Sequence, residues 1–379
     1  MIARRYQLRK EAVGVVRSGA PWIFRDHLSS AANVFADGQW LRLVGGDNQV
    51  EGHGFYEASG AIAIRILRRG AEPPDVAWFK QKVAAAGKKR ELLATTTTGL
   101  RLVHGESDGL PAVVVERIGD TLVAQSYARG ADALARYVTR LVGKAPNVLL
   151  RPAHRQRRDT QDDAPRVLRG QPPAVATFVE EGLTYAADLE GGQKTGTYLD
   201  LRGLRRAVAA LPLTGARVLN LFSYTGMLGR AAEHAGAAHI TQVDSSERAL
   251  AFAAAHHVTD RAKHELVTAD VFAWLPAQTG SFELVIVDPP SMTSDKRQVP
   301  AVLAGYRKLY RAAAPLVAPG GLLVAACCTS RVERAQFKKV VAECLPGFAR
   351  ERELPPEVDH PVGFREADYL KIELWRRAS

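Results

Sequence analysis

The sequence predicts an α/β protein whose C-terminal half is a doubly wound parallel sheet. Three observations carry this. Apolar runs and helical stretches alternate from Arg217 to Ala326, the pattern of strands joined by crossover helices. The runs are short and nearly all apolar, as in strands buried on both faces. Their ends carry Gly226, Asp244, Asp270, Asp288 and Cys328. Ligands in such sheets bind at the carboxyl ends of the strands. One acid at a strand end is easily a cap, whereas five polar groups at successive ends point to a site.

The bulk properties bound the rest. A chain of 379 residues suggests two or three domains. Lys and Arg number 51 against 40 Asp and Glu, a net charge of +11. That excess favours a polyanionic partner, nucleic acid before membrane; a general Arg bias is the competing explanation. No apolar run is long enough for a transmembrane helix, and the first residues lack the apolar stretch of a signal peptide. Three cysteines, two of them adjacent, make no disulfide framework. A reduced, cytoplasmic setting is expected.

Taken in order, residues 1–72 read as a small β-rich domain. Its strand-like runs are Trp22–Phe24, Gln39–Val44 and Ala61–Leu67, punctuated by Gly45-Gly46 and by Gly52-His53-Gly54. Interleaved basic residues suit folded RNA or form a solvated face. Residues 73–189 read as an α+β middle domain. It has a helix over Val76–Thr95 with Trp78, Val83 and Leu92 buried, a β-meander from Arg101 to Gln125 and a helix over Ala131–Val142. Within it, Glu106 and Asp108 resemble an acid/base pair, but a Gly-Glu-Ser-Asp-Gly run reads better as a turn. Arg151 to Pro173 is an irregular basic loop holding His154, Arg155, Arg157 and Arg158, open to RNA contact or to a linker role. A hairpin-like pair of strands over Phe178–Asp188 follows. Residues 190–379 hold the doubly wound part. Gly191–Gly196 lacks the spacing of a nucleoside-triphosphate loop. A basic helix over Leu201–Leu211 leads into Arg217–Gly226, which is strand, tight turn and helix start. Strands at His239–Asp244, Leu266–Asp270, Phe282–Asp288, Gly321–Cys328 and Tyr369–Trp375 follow, with helices at Met227–Ala237, Glu247–His257, Gly305–Val317 and Arg331–Leu345.

The strand ends suggest a chemistry. Asp244 lies 18 positions after Gly226, close to the spacing at which an acid meets a nucleotide's ribose. A turn and a strand-end cap explain these two residues equally well. Phe222-Ser-Tyr-Thr-Gly-Met-Leu-Gly229 does not match G-x-G-x-x-G, so no pyrophosphate cradle is expected. S-adenosylmethionine has no phosphate. It needs a Gly-bearing turn for its methionine end, an acid for the ribose (Asp244) and one near the adenine amine (Asp270). Asp288-Pro289-Pro290 aims a carboxylate on rigid backbone at an acceptor. Amine methylases usually follow this motif with an aromatic residue, and Ser291 stands there instead. Cys328 fits a different acceptor. Carbon 5 of a pyrimidine becomes nucleophilic once a thiolate has added to carbon 6. The competing reading makes Cys327 and Cys328 small core residues. Strand alternation puts them on opposite faces, so at most one is a nucleophile. No metal is expected.

Several motifs together resemble those of the PUA-domain large-subunit ribosomal RNA methyltransferases that modify carbon 5 of cytosine. They are Pro21-Trp-Ile-Phe24, Gly105-Glu-Ser-Asp-Gly-Leu-Pro111, Val179-Glu-Glu-Gly182, Gly192–Arg202, Asn220–Gly226, Asp288-Pro-Pro290, Asp359-His-Pro361 and Tyr369-Leu-Lys371. The resemblance spans nearly the whole chain. It implies a small β-barrel PUA domain, a middle domain of the kind named EEHEAD and a Rossmann-like class I methyltransferase domain. It implies S-adenosylmethionine contacts from Arg202, Asn220, Phe222, Ser223, Tyr224, Gly226, Asp244, Ser245, Asp270, Val271, Asp288 and Pro289. It also implies catalysis by Cys328 and Asp288, a large-subunit ribosomal RNA substrate, no membrane partner and often a homodimer. The family's strand ends Ser-Cys-Ser; here Cys327-Cys328-Thr329 puts Cys328 in the nucleophile's place. The alternatives are a related methylase of a purine, with Cys328 structural, and a non-enzymatic RNA-binding assembly factor.

Overall fold

Val218 faces one side of the strand Arg217–Leu221 while Leu219 and Leu221 face the other, and all three are fully buried. That alternation sets the architecture of the second half of the protein in the computed structural model. The structure describes residues 3–29, 34–153, 165–293 and 295–379, with Lys296 in its backbone alone. Two compact units emerge, one of residues 1–199 with 358–364, the other of 200–357 with 365–379.

The second unit is a seven-stranded sheet. Its order is His264–Thr268, His239–Asp244, Arg217–Leu221, Phe282–Val287, Val317–Cys328, Leu370–Arg377 and Phe348–Leu354. The first five are mutually parallel. Leu370–Arg377 runs antiparallel to both its neighbours. The order in which the chain adds strands reverses between Arg217–Leu221 and Phe282–Val287, the place where a crevice forms at the carboxyl ends of such parallel strands. One face packs Val218, Ile240, Leu284, Ile286 and Val324 against Leu204, Val208, Leu228 and Ala231 of the helices Arg202–Ala209 and Met227–His234. The other packs Leu219, Leu221, Val285, Val287 and Leu323 against Tyr306, Tyr310, Phe337 and Val341 of Val299–Ala313 and Arg334–Cys344.

The described residues of the first unit form two five-stranded sheets and a hairpin. One sheet runs Arg4–Gln7, Trp40–Val44, Val50–Tyr56, Ile62–Arg69, Trp22–Phe24. The other runs Arg166–Arg169, Asn147–Pro152, Thr121–Ser126, Val113–Ile118, Gly99–His104. The hairpin pairs Val175–Glu180 with Leu183–Asp188.

Several expectations need correction. Gly52 and Gly54 do not break a strand; both lie inside Val50–Tyr56. A Cβ on Gly54 would stand 2.4 Å from the Arg65 carbonyl oxygen, so the glycines there admit a close neighbouring strand. The helix from Val76 ends at Arg90, with its first turn capped by Asp75, whose side chain accepts from the Trp78 amide at 2.7 Å. Leu92 therefore lies past the helix and is 83% exposed, and Phe79, Ala86 and Arg90 fill the buried positions. The loop from Arg151 to Pro173 contains a strand, Arg166–Arg169, paired with Asn147–Pro152. His154, Arg155, Arg157 and Arg158 lie outside the described residues. The helix expected over Gly305–Val317 runs from Val299 to Ala313. Phe348–Leu354, a strand the sequence reading did not assign, sits at a sheet edge, where charged side chains replace apolar alternation.

Candidate active site

The carboxyl end of Arg217–Leu221 turns sharply. Phe222, Tyr224 and Gly226 all take positive φ, +58°, +48° and +77°. Such backbone is costly for non-glycine residues and persists only where neighbours hold it. The Ser223 amide donates to the Val243 carbonyl at 3.0 Å, and the Gly226 amide to the Ser223 carbonyl at 2.9 Å. Asp244 completes the hold: its Oδ2 accepts from the Tyr224 amide at 2.8 Å and its Oδ1 from the Ser246 amide at 2.9 Å. Asp244 is thus a cap, as one reading had it. A carboxylate oxygen accepts more than one hydrogen bond, so each retains capacity for a further donor. Ser245 beside it is exposed.

Asn220 is fully buried beneath the turn. Its Nδ2 donates to Gln242 Oε1 at 3.3 Å, and Gln242 Nε2 lies 3.0 Å from His264 Nδ1, a polar ladder across three strands. Asn220 Oδ1 and Ser223 Oγ are buried without a hydrogen-bond partner among the described residues. Gln242 also occupies the space a Cβ on Gly226 or Gly229 would need.

Asp270 lies two residues past its strand, His264–Thr268, and caps the short helix Val271–Trp274, with Oδ1 accepting from the Ala273 amide at 3.0 Å. It is exposed, while Val271 is buried in the core. Phe222 meets Phe272 edge-on, with ring centroids 6.0 Å apart. Across the crevice, half-buried Asp288 and buried Pro289 follow Phe282–Val287 directly. Cys328, half-buried at the end of the adjacent strand, donates from Sγ to the Pro289 carbonyl at 3.4 Å. Thr329 Oγ1 donates to the Thr293 carbonyl at 3.2 Å, tying the segment after Asp288-Pro-Pro to the same strand end. Cys327 points into the core, fully buried, and burial pushes its thiol pKa up. The two cysteines therefore occupy opposite faces, as alternation requires.

Arg202 is fully buried, and its Nη1 lies 3.3 Å from Glu357 Oε2. Glu357 also accepts from Arg206 Nη2 at 3.0 Å, and Tyr369 donates to Asp200 Oδ2 at 2.7 Å. Sequence reasoning singled out neither Glu357 nor Gln242, because nothing in their own neighbourhoods signals a partner over a hundred residues away or on the neighbouring strands. In the first unit, Glu106 and Asp108 form no acid/base pair. Glu106 accepts from Trp22 Nε1 at 2.8 Å and is ion-paired with Arg65; Asp108 is ion-paired with Arg90 at 2.6 Å. Of the basic residues before 72, Arg17, Arg65 and Arg68 are engaged by acids. Arg4, Arg5, Arg9, Lys10 and Arg42 are exposed, with Arg5 opposite Arg42 across paired strands.

Residues 120–364 match the family model for S-adenosylmethionine-dependent methyltransferases. The chain belongs to this family. Residues 7–69 of this methyltransferase match a PUA-like domain. A ribosomal RNA large subunit methyltransferase of Deinococcus radiodurans is 32% identical, over 97% of this chain and 96% of its own length. A ribosomal RNA large subunit methyltransferase I of Shewanella amazonensis is also 32% identical, over 93% of both. A solved protein described as a methyltransferase, in complex with SAH, superposes with a TM-score of 0.83 at 23% identity, covering 98% of this chain and all of that one. At that identity the likeness speaks for the fold. The methyltransferase uses S-adenosylmethionine, and its crevice suits that cofactor. The acids at the ends of the second and fourth strands, the left-handed turn and Ser223 Oγ, which has no partner among the described residues, offer polar groups suited to a ligand that carries no phosphate.

Proposed function

We propose that this methyltransferase modifies carbon 5 of a cytosine in large-subunit ribosomal RNA. The observation that carries the reading is the 3.4 Å contact between Cys328 Sγ and the carbonyl of Pro289, the residue after Asp288, made by a half-buried thiol at a strand end. The names of the relatives, acting on large-subunit ribosomal RNA, supply the substrate class. Asp244 takes the ribose hydroxyls, Asp270 the adenine amine, and Phe222, Ser223, Tyr224 and Gly226 the methionine end, with Asn220 beneath. Ser245 and Pro289 flank the cofactor, with Arg202 and Val271 buried behind it as support. Residues 1–72, 73–189 and 190–379 serve as RNA-binding, middle and catalytic domains, with 358–364 packed into the first unit.

When bound, the cofactor would supply an electrophilic methyl group on a sulfonium and would be left as the neutral thioether. Cys328 Sγ, as thiolate, forms a bond to carbon 6 of the ring, and the electron pair so released makes carbon 5 the attacking atom. Asp288 holds the base through its ring edge and supports protonation of the ring nitrogen. Once carbon 5 has been methylated it gives up its proton to a base, the carbon 5–carbon 6 double bond reforms, and the bond to Cys328 breaks, returning the thiolate. Cys328→Ala is expected to abolish methyl transfer while calorimetry still detects S-adenosylmethionine binding. Methylation by Cys328→Ala would exclude the covalent route. Nucleotide mapping of ribosomal RNA from a deletion strain tests the base: loss of a methylated guanosine with 5-methylcytidine unchanged would favour a purine acceptor.

A further inference from the structure

The polar ladder of Asn220, Gln242 and His264 ends on a carboxylate. The His264 side chain is 1% exposed, and its Nε2 lies 3.4 Å from Oε2 of Glu233, a buried residue of the helix Met227–His234. Glu233 is held as an anion. It accepts from the Thr259 amide at 3.2 Å, the Thr259 hydroxyl at 2.5 Å and the Asp260 amide at 2.8 Å. Burial pushes its pKa up, but these bonds and the nearby His264 outweigh burial and leave it lowered. Burial lowers the pKa of His264 against the pull of Glu233 and Asp260, so the ring is neutral at pH 7. A neutral imidazole has one N–H and one bare nitrogen, and the ladder therefore has a direction.

The amides of Asn220 and Gln242 are satisfied by either direction. In one, Asn220 Nδ2 donates to Gln242 Oε1, Gln242 Nε2 donates to a bare His264 Nδ1, and the ring hydrogen on Nε2 faces the Glu233 carboxylate. In the other, both amides are turned over, His264 Nδ1 donates to Gln242, and a bare Nε2 faces that carboxylate, lone pair against anion. Glu233 rejects the second arrangement. The direction matters because the Gln242 amide is the floor of the turn. A Cβ on Gly226 would stand 3.0 Å from Gln242 Oε1, and one on Gly229 2.3 Å from it. We propose that Glu233, acting through His264, sets the direction of this ladder and so fixes the amide on which the turn rests. Glu233 and His264 are then positioning residues for S-adenosylmethionine binding, touching neither cofactor nor RNA. This rests on the reading of the turn as the cradle for the methionine end.

The test uses the full-length protein with isotope-labelled histidines. Nitrogen NMR reads which ring nitrogen carries the hydrogen, and loss of a signal in His264→Gln assigns it. In the wild type, His264 should carry its hydrogen on Nε2. Glu233→Gln keeps the shape of the side chain, removes the charge and can donate to Nε2. In that variant His264 should shift towards the Nδ1–H form, and calorimetry should find S-adenosylmethionine bound roughly tenfold more weakly, the worth of about one hydrogen bond. Gln242→Met, which fills the same space without an amide, should weaken binding to a similar extent. An Nδ1–H His264 in the wild type would overturn the proposal, and so would an unchanged tautomer in Glu233→Gln. Wild-type affinity in Gln242→Met would overturn it too, and decides it alone should Glu233→Gln fail to fold. Wild-type affinity in Gly226→Ala would instead remove the cradle reading, and the tautomer shift would still establish the direction of the ladder.

Discussion

Asp244 and His257 show how much one side chain can carry. Sequence spacing left Asp244 balanced between strand cap and ribose acid. Its two oxygens hold the Tyr224 and Ser246 amides, so it caps, and carboxylate geometry leaves it able to do both. His257 had no sequence signal beyond its place at a helix end. It is fully buried, with Nδ1 2.5 Å from the Thr225 carbonyl in the turn after Arg217–Leu221. Burial lowers its pKa to about 4 despite that bond. Its folded value thus lies below the unfolded ~6.5, so the unfolded chain binds the extra proton first. Stability should be level above the unfolded value, then decline as pH falls towards 4, by up to about 1.4 kcal/mol per pH unit from this residue. Urea unfolding at a series of pH values should detect the decline, with a shallower slope in His257→Gln. The same slope in both proteins would mean that His257 contributes nothing. His104, lowered to about 2 by burial and by Arg101, adds a parallel loss in the first unit and accounts for slope that survives the substitution.

At the scale of elements, the turn after Arg217–Leu221 has little room for change. Gly226 combines a left-handed φ with Gln242 and Ala253 packed against it. A Cβ there would stand 2.8 Å from the Ala253 Cβ. Gly226→Ala should cost about 1–3 kcal/mol of stability, from backbone strain and crowding together. It should also weaken S-adenosylmethionine binding, because it displaces the Ser223 and Tyr224 backbone. Chemical denaturation and calorimetry measure the two effects, and wild-type values in both would show that the turn tolerates a side chain. The strand on which this turn stands was legible because its apolar run is continuous. Val50–Tyr56 was not, because glycine reads as a break unless the neighbouring strand's approach is known. Phe348–Leu354 was not, because an edge strand has no need of apolar alternation.

Over the whole molecule, the net +11 charge and the exposed Arg5–Arg42 pair fit a surface that meets RNA phosphates. Binding to ribosomal RNA fragments should weaken linearly on a logarithmic salt scale, by roughly 0.7 per phosphate contact on single strands. Replacing Arg5 and Arg42 with Gln should reduce that slope by about one to two contacts. Filter binding or fluorescence anisotropy across salt concentrations would read it; an unchanged slope would move the contacts elsewhere on the protein.

The sequence alone determined the alternation of strands and helices, the acids at their ends, the absence of pyrophosphate glycines and the opposite facing of Cys327 and Cys328. These are local properties, written in residues a few positions apart. Tertiary structure decided what each end group meets. It brought Cys328 to Pro289 across adjacent strands, gave Arg202 its Glu357, turned Glu106 and Asp108 into partners of arginines, and buried Lys371 against the turn after Cys328. Such pairings depend on strand order and register, which neither spacing nor periodicity encodes.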